Sequence, residues 1–186
     1  MKKISLRALS LGDTDNIVKW RNLPSVKKNL YSQAELKPEQ HIAYFENVVK
    51  NGKCAQFIIV VEDEGLSTDI GTIFIKNIDN ANHSGEYGIF IGEESARGKG
   101  YAKIATEQIL KFGFDTLGLH RIYLTVMSDN IPAIKTYENS GFVREGVMRD
   151  EYLRIDGYVD VVMMSILKQE WETRKNENIP KTNNIG

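Results

Sequence analysis

A glycine-containing run at a predicted strand-to-helix junction constrains the fold of this chain more than any other segment. It reads Arg97-Gly98-Lys99-Gly100-Tyr101-Ala102, and a helical pattern follows to about Leu117. The first-turn amides of a helix lack partners within the helix and carry partial positive charge, so they favour an anion such as a diphosphate. Glycines without Cβ atoms allow close approach, and Arg97 and Lys99 add positive charge. For this run alone, an ordinary loop into a helix remains the alternative.

A second motif lies downstream and reads Asn130-x-x-Ala133-x-x-x-Tyr137-Glu138-x-x-Gly141-Phe142. Asn is a favoured helix N-cap and Pro132 suits a first turn, so this motif predicts a helix that begins after Asn130. Helical spacing then allows Asn130 and Tyr137 to face the same ligand, two turns apart. The ordered pair of motifs predicts a cofactor that lies between two βα units.

Composition excludes several classes of protein. The 186 residues fit one domain, and the net charge of −1 argues against a nucleic-acid partner. Apolar runs such as 57–61 are strand-sized, so we expect no membrane segment. The single cysteine, Cys54, excludes an intrachain disulfide and favours a cytoplasmic location. The three scattered histidines have no spacing typical of zinc, so we expect no metal.

The order of predicted elements indicates an α+β domain. A first strand (4–9) precedes short helices that begin after Asp13, at Pro24 and at Pro38. The third helix is expected to bury Ile42, Phe45 and Val48 or Val49. Three strands (55–62, 70–78 and 85–91) form a meander, and a β–α–β–α–β–β series follows, with a hairpin turn at Asp156-Gly157. We expect one domain over 1–171 and a disordered polar tail over 172–186.

Together the two motifs resemble the Gcn5-related N-acetyltransferase (GNAT) superfamily. Its Gln/Arg-x-x-Gly-x-Gly/Ala signature is matched by Arg97, Gly100 and Ala102, and its second signature by the motif that begins at Asn130. The resemblance covers Ile4 to Trp171. It implies a single domain with a mixed, mostly antiparallel, twisted sheet of about seven strands flanked by helices. It also implies acetyl-coenzyme A (acetyl-CoA) as co-substrate, entering where the strands 85–91 and 121–126 splay apart.

The resemblance further implies which residues bind the coenzyme. Splaying frees main-chain groups of strand 85–91, so the pantetheine arm would pair with the backbone there. The residues implied are Ile89, Phe90, Ile91, Arg97, Gly98, Lys99, Gly100, Tyr101, Ala102, Asn130, Ala133, Lys135 and Tyr137.

Two residues are candidates for the chemistry of acetyl transfer to an amine. A phenol with a pKa of about 10 stays protonated near neutrality, so Tyr137 is the candidate that protonates the departing thiolate. The alternative is a half-buried core tyrosine. Glu86 interrupts an apolar strand, and many relatives carry an acidic base there. The alternative for Glu86 is an outward-facing carboxylate, since the strand alternation leaves its face undecided.

Two subfamily resemblances compete for the acceptor. The segments Trp20-Arg21-Asn22-Leu23-Pro24, Leu30-Tyr31-Ser32 and Pro38-Glu39-Gln40-His41 resemble the nucleotide-amino-sugar N-acetyltransferases of the pseudaminic acid pathway. This resemblance leads, and it implies a UDP-linked amino-dideoxy sugar as acceptor, transfer in a ternary complex, and an acceptor site at Trp20, Arg21, Asn22, Tyr31 and His41. Ordinary core packing of Trp20 and surface pairing of Arg21 remain the alternative.

The second half of the chain instead resembles the spermidine and ribosomal-protein alanine N-acetyltransferases, through 97–102, 119–123 and 146–161. A small-molecule amine is therefore expected as partner, with a polyamine or a protein N-terminus as the alternative to the amino sugar. A non-catalytic acetyl-CoA-binding module is a further alternative, which the joint presence of Tyr137 and Glu86 disfavours. Relatives often dimerise, so we expect a homodimer.

Overall fold

The computed structural model describes residues 2–177, which build one seven-stranded sheet flanked by helices. The strands are β1 (Lys3–Ala8), β2 (Cys54–Asp63), β3 (Leu66–Asp79), β4 (Ser84–Ile91), β5 (Arg121–Met127), β6 (Val143–Arg154) and β7 (Gly157–Leu167). The helices are α1 (Thr14–Asn22), α2 (Pro24–Lys27), α3 (Pro38–Tyr44), α4 (Tyr101–Lys111), α5 (Ile131–Asn139) and α6 (Lys168–Glu177). Wider, π-type turns extend α3 over Phe45–Val49 and α4 over Phe112–Thr116.

The order of strands across the sheet is β1-β2-β3-β4-β5-β7-β6. Neighbours pair antiparallel throughout, except for β4 and β5, which run parallel. The parallel pair requires a crossover connection, and α4 carries the chain from the end of β4 back to the start of β5. The predicted fold class, a mixed and mostly antiparallel sheet of about seven strands, is confirmed.

The two central strands separate after their first residues. Ladder pairing between β4 and β5 covers only Ser84 to Glu86 against Arg121 to Tyr123. Beyond that point β4 stays paired with β3 as far as Ile91, and β5 stays paired with β7 as far as Met127. The sheet is therefore intact on both sides of an opening between its middle strands, as the splay predicted from the family resemblance requires.

Each face of the sheet carries its own core, because side chains alternate along a strand. Ile59 and Val61 of β2 point into the larger core with α4, whereas Ile58 and Val60 point into a smaller one with Trp20 of α1. The helices α1 and α3 therefore pack on one face of the sheet, and α4 packs on the other.

Three predictions about local structure need correction. Asp13 does precede α1, but its carboxylate accepts hydrogen bonds from Arg7 and Ser10 instead of capping the helix.

The second correction concerns the buried face of α3. Ile42 was expected to be buried, but it is 43% exposed and its neighbour His41 is buried. The reason is the wide turn after α3, where the amide of Lys50 donates to the Phe45 carbonyl five residues back (2.9 Å). A stripe with a spacing of four then faces inward, formed by His41, Phe45 and Val49.

The third correction concerns the carboxyl-terminal tail. Disorder was expected from residue 172, but residues 172–177 are helical within α6. Trp171 anchors this helix because its buried ring stacks on Phe114, with the ring centroids 6.0 Å apart. Lys175 lies over the same ring and pairs with Asp115. The remainder of the predicted tail, 178–186, lies outside the described residues.

Candidate active site

The opening between β4 and β5 continues into a cavity of about 1240 Å³. A cavity of this size accommodates an elongated ligand together with a second, smaller one. Most residues predicted to contact the coenzyme line it: Ile89, Phe90, Ile91, Arg97, Gly98, Gly100, Tyr101, Ala102, Asn130, Ala133 and Tyr137. Lys99 and Lys135 are exposed and do not line the cavity, so any role for them is limited to its rim.

The loop before α4 has the backbone geometry of an anion site. Gly98 and Gly100 have φ angles of +70° and +78°, a left-handed region that glycine adopts without strain. A Cβ atom added at either position would meet no protein atom within 4 Å, so open space lies above both. The amides of the first turn of α4 lack intrahelical acceptors. A diphosphate therefore fits this cradle.

Arg97 lines the cavity and also makes contacts within the protein. Its guanidinium donates two hydrogen bonds to the Ile91 carbonyl (both 3.1 Å) and one to the Gly92 carbonyl (3.4 Å). It also lies 3.6 Å from Glu94. Arg97 thus ties the loop to the end of β4, and the carbonyl of Ile91 is already engaged.

Tyr137 lies on α5, whose position is fixed by its cap. The side chain of Asn130 accepts a hydrogen bond from the Ala133 amide (3.4 Å), as the sequence predicts. The Tyr137 ring is 8% exposed and meets the rings of Tyr87 and Phe142 edge-on. Burial raises the pKa of the Tyr137 phenol, with no hydrogen bond contributing. The residue thus presents a protonated hydroxyl group at a cavity wall.

Glu86 also lines the cavity, on the face opposite the buried Tyr87. Its carboxylate pairs with Lys76 (3.1 Å) and accepts a hydrogen bond from Asn77 (2.7 Å). The orientation left open by the sequence is thereby decided: Glu86 borders the cavity and is held by two neighbours.

Three of the five predicted acceptor residues line the cavity: Arg21, Tyr31 and His41. The other two, Trp20 and Asn22, do not line it. Trp20 is 1% exposed in the core, where its indole donates to Glu93 (2.7 Å). The side chain of Asn22 accepts from the Leu36 amide and donates to the Leu36 carbonyl (both 2.8 Å), which closes the loop before α3.

The last hairpin reaches the acceptor end of the cavity from the other side. The rings of Tyr31 and Tyr152 pack edge-on with centroids 5.4 Å apart, and the Tyr152 hydroxyl donates to the Tyr31 carbonyl. Nearby, Arg21 donates through Nη2 to the Ser32 carbonyl (3.1 Å). Its Nη1 is buried without a partner among the described residues, and burial lowers the pKa of this guanidinium.

The cavity is also lined by three residues that were not predicted from the sequence: Gln56 and the ion-paired Asp129 and Arg154. Gln56 carried a signal that could have been used, since it is a polar residue inside the apolar segment 54–61, as Glu86 is inside 85–91. Asp129 and Arg154 come from different elements, and only the fold brings them together.

Within residues 2–177 no His, Cys, Asp or Glu side chains form a group of three placed to hold a metal ion, and the metal-free site remains a prediction. None of the helices in that range is both long and apolar enough to cross a bilayer.

Known proteins are similar to this chain in sequence and in fold. A spermidine N(1)-acetyltransferase from Vibrio cholerae is 32% identical over 173 residues, spanning 92% of this chain and 97% of that protein. A crystal structure of spermidine N-acetyltransferase from Vibrio cholerae in complex with CoA and spermine superposes with a TM-score of 0.83, at 28% identity over 91% of this chain and 98% of that chain. A dodecameric structure of the Vibrio cholerae enzyme matches with a TM-score of 0.78, at 28% identity over 92% and 97% of the two chains.

A family model described as an acetyltransferase (GNAT) domain matches residues 3–143, which include β1 to β5 and the cofactor loop. The match agrees with the splayed sheet, the glycine cradle and the position of Tyr137. The chain belongs to the GNAT family and is an N-acetyltransferase that uses acetyl-CoA.

Proposed function

We propose that this protein moves an acetyl group from acetyl-CoA directly to the primary amine of a small molecule, with both substrates bound together. The observation that carries this proposal is that Gly98, Gly100 and Tyr137 line one and the same cavity. A cavity of about 1240 Å³ leaves room for an acceptor beside the coenzyme.

The coenzyme would lie along the opening between β4 and β5. Its diphosphate would accept hydrogen bonds from the first-turn amides of α4, with Arg97 holding the loop in place. Its pantetheine amides would pair with the free main-chain groups of Ile89, since β4 has no strand partner on that side after Glu86. The bound coenzyme supplies the activated acetyl group.

The transfer requires a neutral amine, and the leaving thiolate needs a proton. The amine nitrogen attacks the acetyl carbon, the carbon–sulfur bond breaks, and Tyr137 gives its phenolic proton to the sulfur. The raised pKa of Tyr137 keeps that proton available at neutral pH. Glu86 would take the amine proton, directly or through water, while Lys76 and Asn77 hold its carboxylate in position.

A polyamine is the first acceptor class to test. The relatives described above are spermidine acetyltransferases, and they match more than nine-tenths of this chain. This supports the polyamine alternative over the amino sugar that led in the sequence analysis.

One observation favours a second candidate, an amine that also bears an anionic group. Glu86 and Asp129, the carboxylates that line the cavity within residues 2–177, are each paired with a cation, Lys76 and Arg154. Arg21 keeps a buried Nη1 without a partner in the same part of the chain. A buried guanidinium donor is best satisfied by a carboxylate or phosphate oxygen, and a nucleotide-linked amino sugar belongs to this class.

The test is thiol release from acetyl-CoA with matched acceptors. Spermidine and 1,7-diaminoheptane represent the polyamine class, and 8-aminooctanoate replaces one amine of the diamine with a carboxylate. A preference for 1,7-diaminoheptane supports a polyamine acceptor, and a preference for 8-aminooctanoate supports the second candidate. If none of these amines causes thiol release although acetyl-CoA still binds, the proposed transfer is overturned and a binding module remains.

A further inference from the structure

Two buried side chains in the lining of the cavity each present an unpaired hydrogen-bond acceptor. His41 is 3% exposed and Gln56 is 8% exposed, and both line the cavity. Among the described residues, His41 Nε2 and Gln56 Oε1 have no hydrogen-bond partner. Leaving a buried polar atom unpaired costs about 1–3 kcal/mol, so each of these atoms calls for an explanation.

The protonation of His41 follows from its neighbour Thr14. The Thr14 hydroxyl lies 3.0 Å from His41 Nδ1 and donates its only proton to the Leu11 carbonyl (2.8 Å). Thr14 can therefore only accept from His41, which places the imidazole proton on Nδ1. Burial lowers the pKa of His41 and keeps the ring neutral. Its Nε2 then carries a lone pair and can only accept a hydrogen bond.

The orientation of Gln56 follows in the same way from Thr72. The Thr72 hydroxyl donates its proton to the Phe57 carbonyl (2.8 Å), so toward Gln56 it can only accept. The Gln56 amide nitrogen must therefore face Thr72, at 3.1 Å. This fixes the amide orientation and leaves Oε1 as the unpaired atom. Each of the two side chains is therefore oriented by its own threonine, Thr14 or Thr72, whose hydroxyl proton is already donated to a carbonyl. Each is left with one unpaired acceptor atom.

The strand register places Gln56 at a defined distance from the opening. Gln56 pairs with Phe74, and Phe74 pairs with Gly88 of β4. A Cβ at Gly88 would approach the Phe74 ring to 2.3 Å, so only glycine at this position leaves room for the ring. Two interstrand spacings put Gln56 roughly 10 Å from β4. That matches an extended seven-carbon chain between two end groups.

We infer that His41 Nε2 and Gln56 Oε1 form a subsite for an N–H or O–H donor at the far end of the acceptor, with Gln56 two strands, or about 10 Å, away from β4. This inference rests on the proposed transfer to a small amine. The donor is an ammonium group if the acceptor is a polyamine, or a hydroxyl group if it is a sugar. The two side chains contribute specificity and do not touch the reacting atoms.

Three acceptors with one spacer test the subsite: 1,7-diaminoheptane, 7-amino-1-heptanol and octylamine end in an amine, a hydroxyl and a methyl group. We expect the wild type to prefer the first two over octylamine by about tenfold in kcat/KM. Gln56→Met and His41→Phe should each lower that preference about fivefold or more. Gln169→Met, the same change at an exposed position on α6, should leave it intact. Because the preference is a ratio within one protein, partial unfolding of a variant does not affect it.

Equal use of all three acceptors by the wild type would overturn the inference, since the subsite would then hold only water. A preference that both variants retain would also overturn it. If no amine is acetylated, the proposed transfer fails. The subsite is then tested by calorimetric binding of the same compounds to the CoA-loaded protein. Tighter binding of the diamine or the amino alcohol than of octylamine supports the subsite, and equal binding overturns it.

Discussion

The cofactor side and the acceptor side of the cavity are built in different ways. The cofactor side consists of one short loop, the start of α4 and a strand edge without a strand partner, so it offers main-chain groups to a ligand. The acceptor side consists of side chains from α1, α3, β2 and the last hairpin, which are far apart in sequence. A backbone site can therefore be recognised from a local motif, whereas a side-chain site depends on how remote segments pack.

The largest effect is expected from the residue where the two sides meet. Tyr137→Phe removes the proposed proton donor but keeps the ring that packs on Tyr87 and Phe142. General acid catalysis contributes at least about 100-fold, so kcat should fall by that factor while the Kd of acetyl-CoA changes less than about twofold. Steady-state kinetics and calorimetry measure the two quantities. Because burial raises the pKa of Tyr137, wild-type kcat should show no alkaline loss below about pH 10.

Tyr158→Phe serves as the matched control, since Tyr158 is exposed on the hairpin. A Tyr137→Phe enzyme with near-normal kcat would remove this residue as the acid and break the proposed link between the two sides.

The backbone character of the cofactor side can be tested at Gly100. Gly100→Val places a branched side chain in the open space above a residue with φ of +78°. We expect the Kd of acetyl-CoA to rise about tenfold, which corresponds to about 1.4 kcal/mol. The unfolding free energy should fall by about 1–2 kcal/mol because of the left-handed backbone.

Gly65→Val separates strain from binding, because Gly65 has φ of +84° in the β2–β3 turn and also faces open space. This control should lose similar stability without losing affinity. If Gly100→Val binds acetyl-CoA as tightly as Gly65→Val does, the loop before α4 does not bind the diphosphate.

On the acceptor side, Arg21→Gln distinguishes the two acceptor classes. With 8-aminooctanoate as acceptor, the Michaelis constant should rise about fivefold, since a partly exposed ion pair contributes about 1 kcal/mol. With 1,7-diaminoheptane as acceptor, the constant should stay the same or fall, because a cation has been removed. Arg149→Gln, an exposed position on β6, is the control in these steady-state measurements. Identical changes for both acceptors would exclude Arg21 from anion recognition.

The smallest effect concerns the attachment of the hairpin to the rest of the sheet. Hydrogen bonds from Arg121 and then Ser165 lower the pKa of Glu145 on β6 to about 2. Since the folded-state pKa lies below the unfolded value of about 4.3, this stabilisation is present above pH 4.3 and is lost as the pH falls toward 2. Glu145 is partly exposed, so Glu145→Gln should cost only about 0.5–1 kcal/mol at pH 7.

Chemical denaturation between pH 2 and pH 7 checks this. The wild type should lose its advantage over Glu145→Gln at the acid end of the range, whereas Glu151→Gln, at an exposed position on the same strand, should follow the wild type throughout. A pH-independent difference between wild type and Glu145→Gln would contradict the assignment.

The sequence was sufficient for the features that depend on neighbouring residues. Alternating apolar positions predicted the strands, Asn130 and Pro132 predicted the start of α5, and Asp156-Gly157 predicted the last hairpin. The acceptor residues were predicted less well, because Trp20 and Asn22 are the same residue types whether they bind a ligand or hold the fold. Their hydrogen bonds to Glu93 and Leu36 decide the matter, and these partners lie 73 and 14 residues away.

The family, the order of elements and the glycine loop before α4 were accessible from the sequence, since glycines at a helix start act through local backbone geometry. Other features emerged only on folding: which face Glu86 presents, which nitrogen of His41 carries its proton, and that the hairpin closes over Tyr31. A hydrogen-bond role or an ion pair is a property of two groups, and the chain brings the second group close only when it folds.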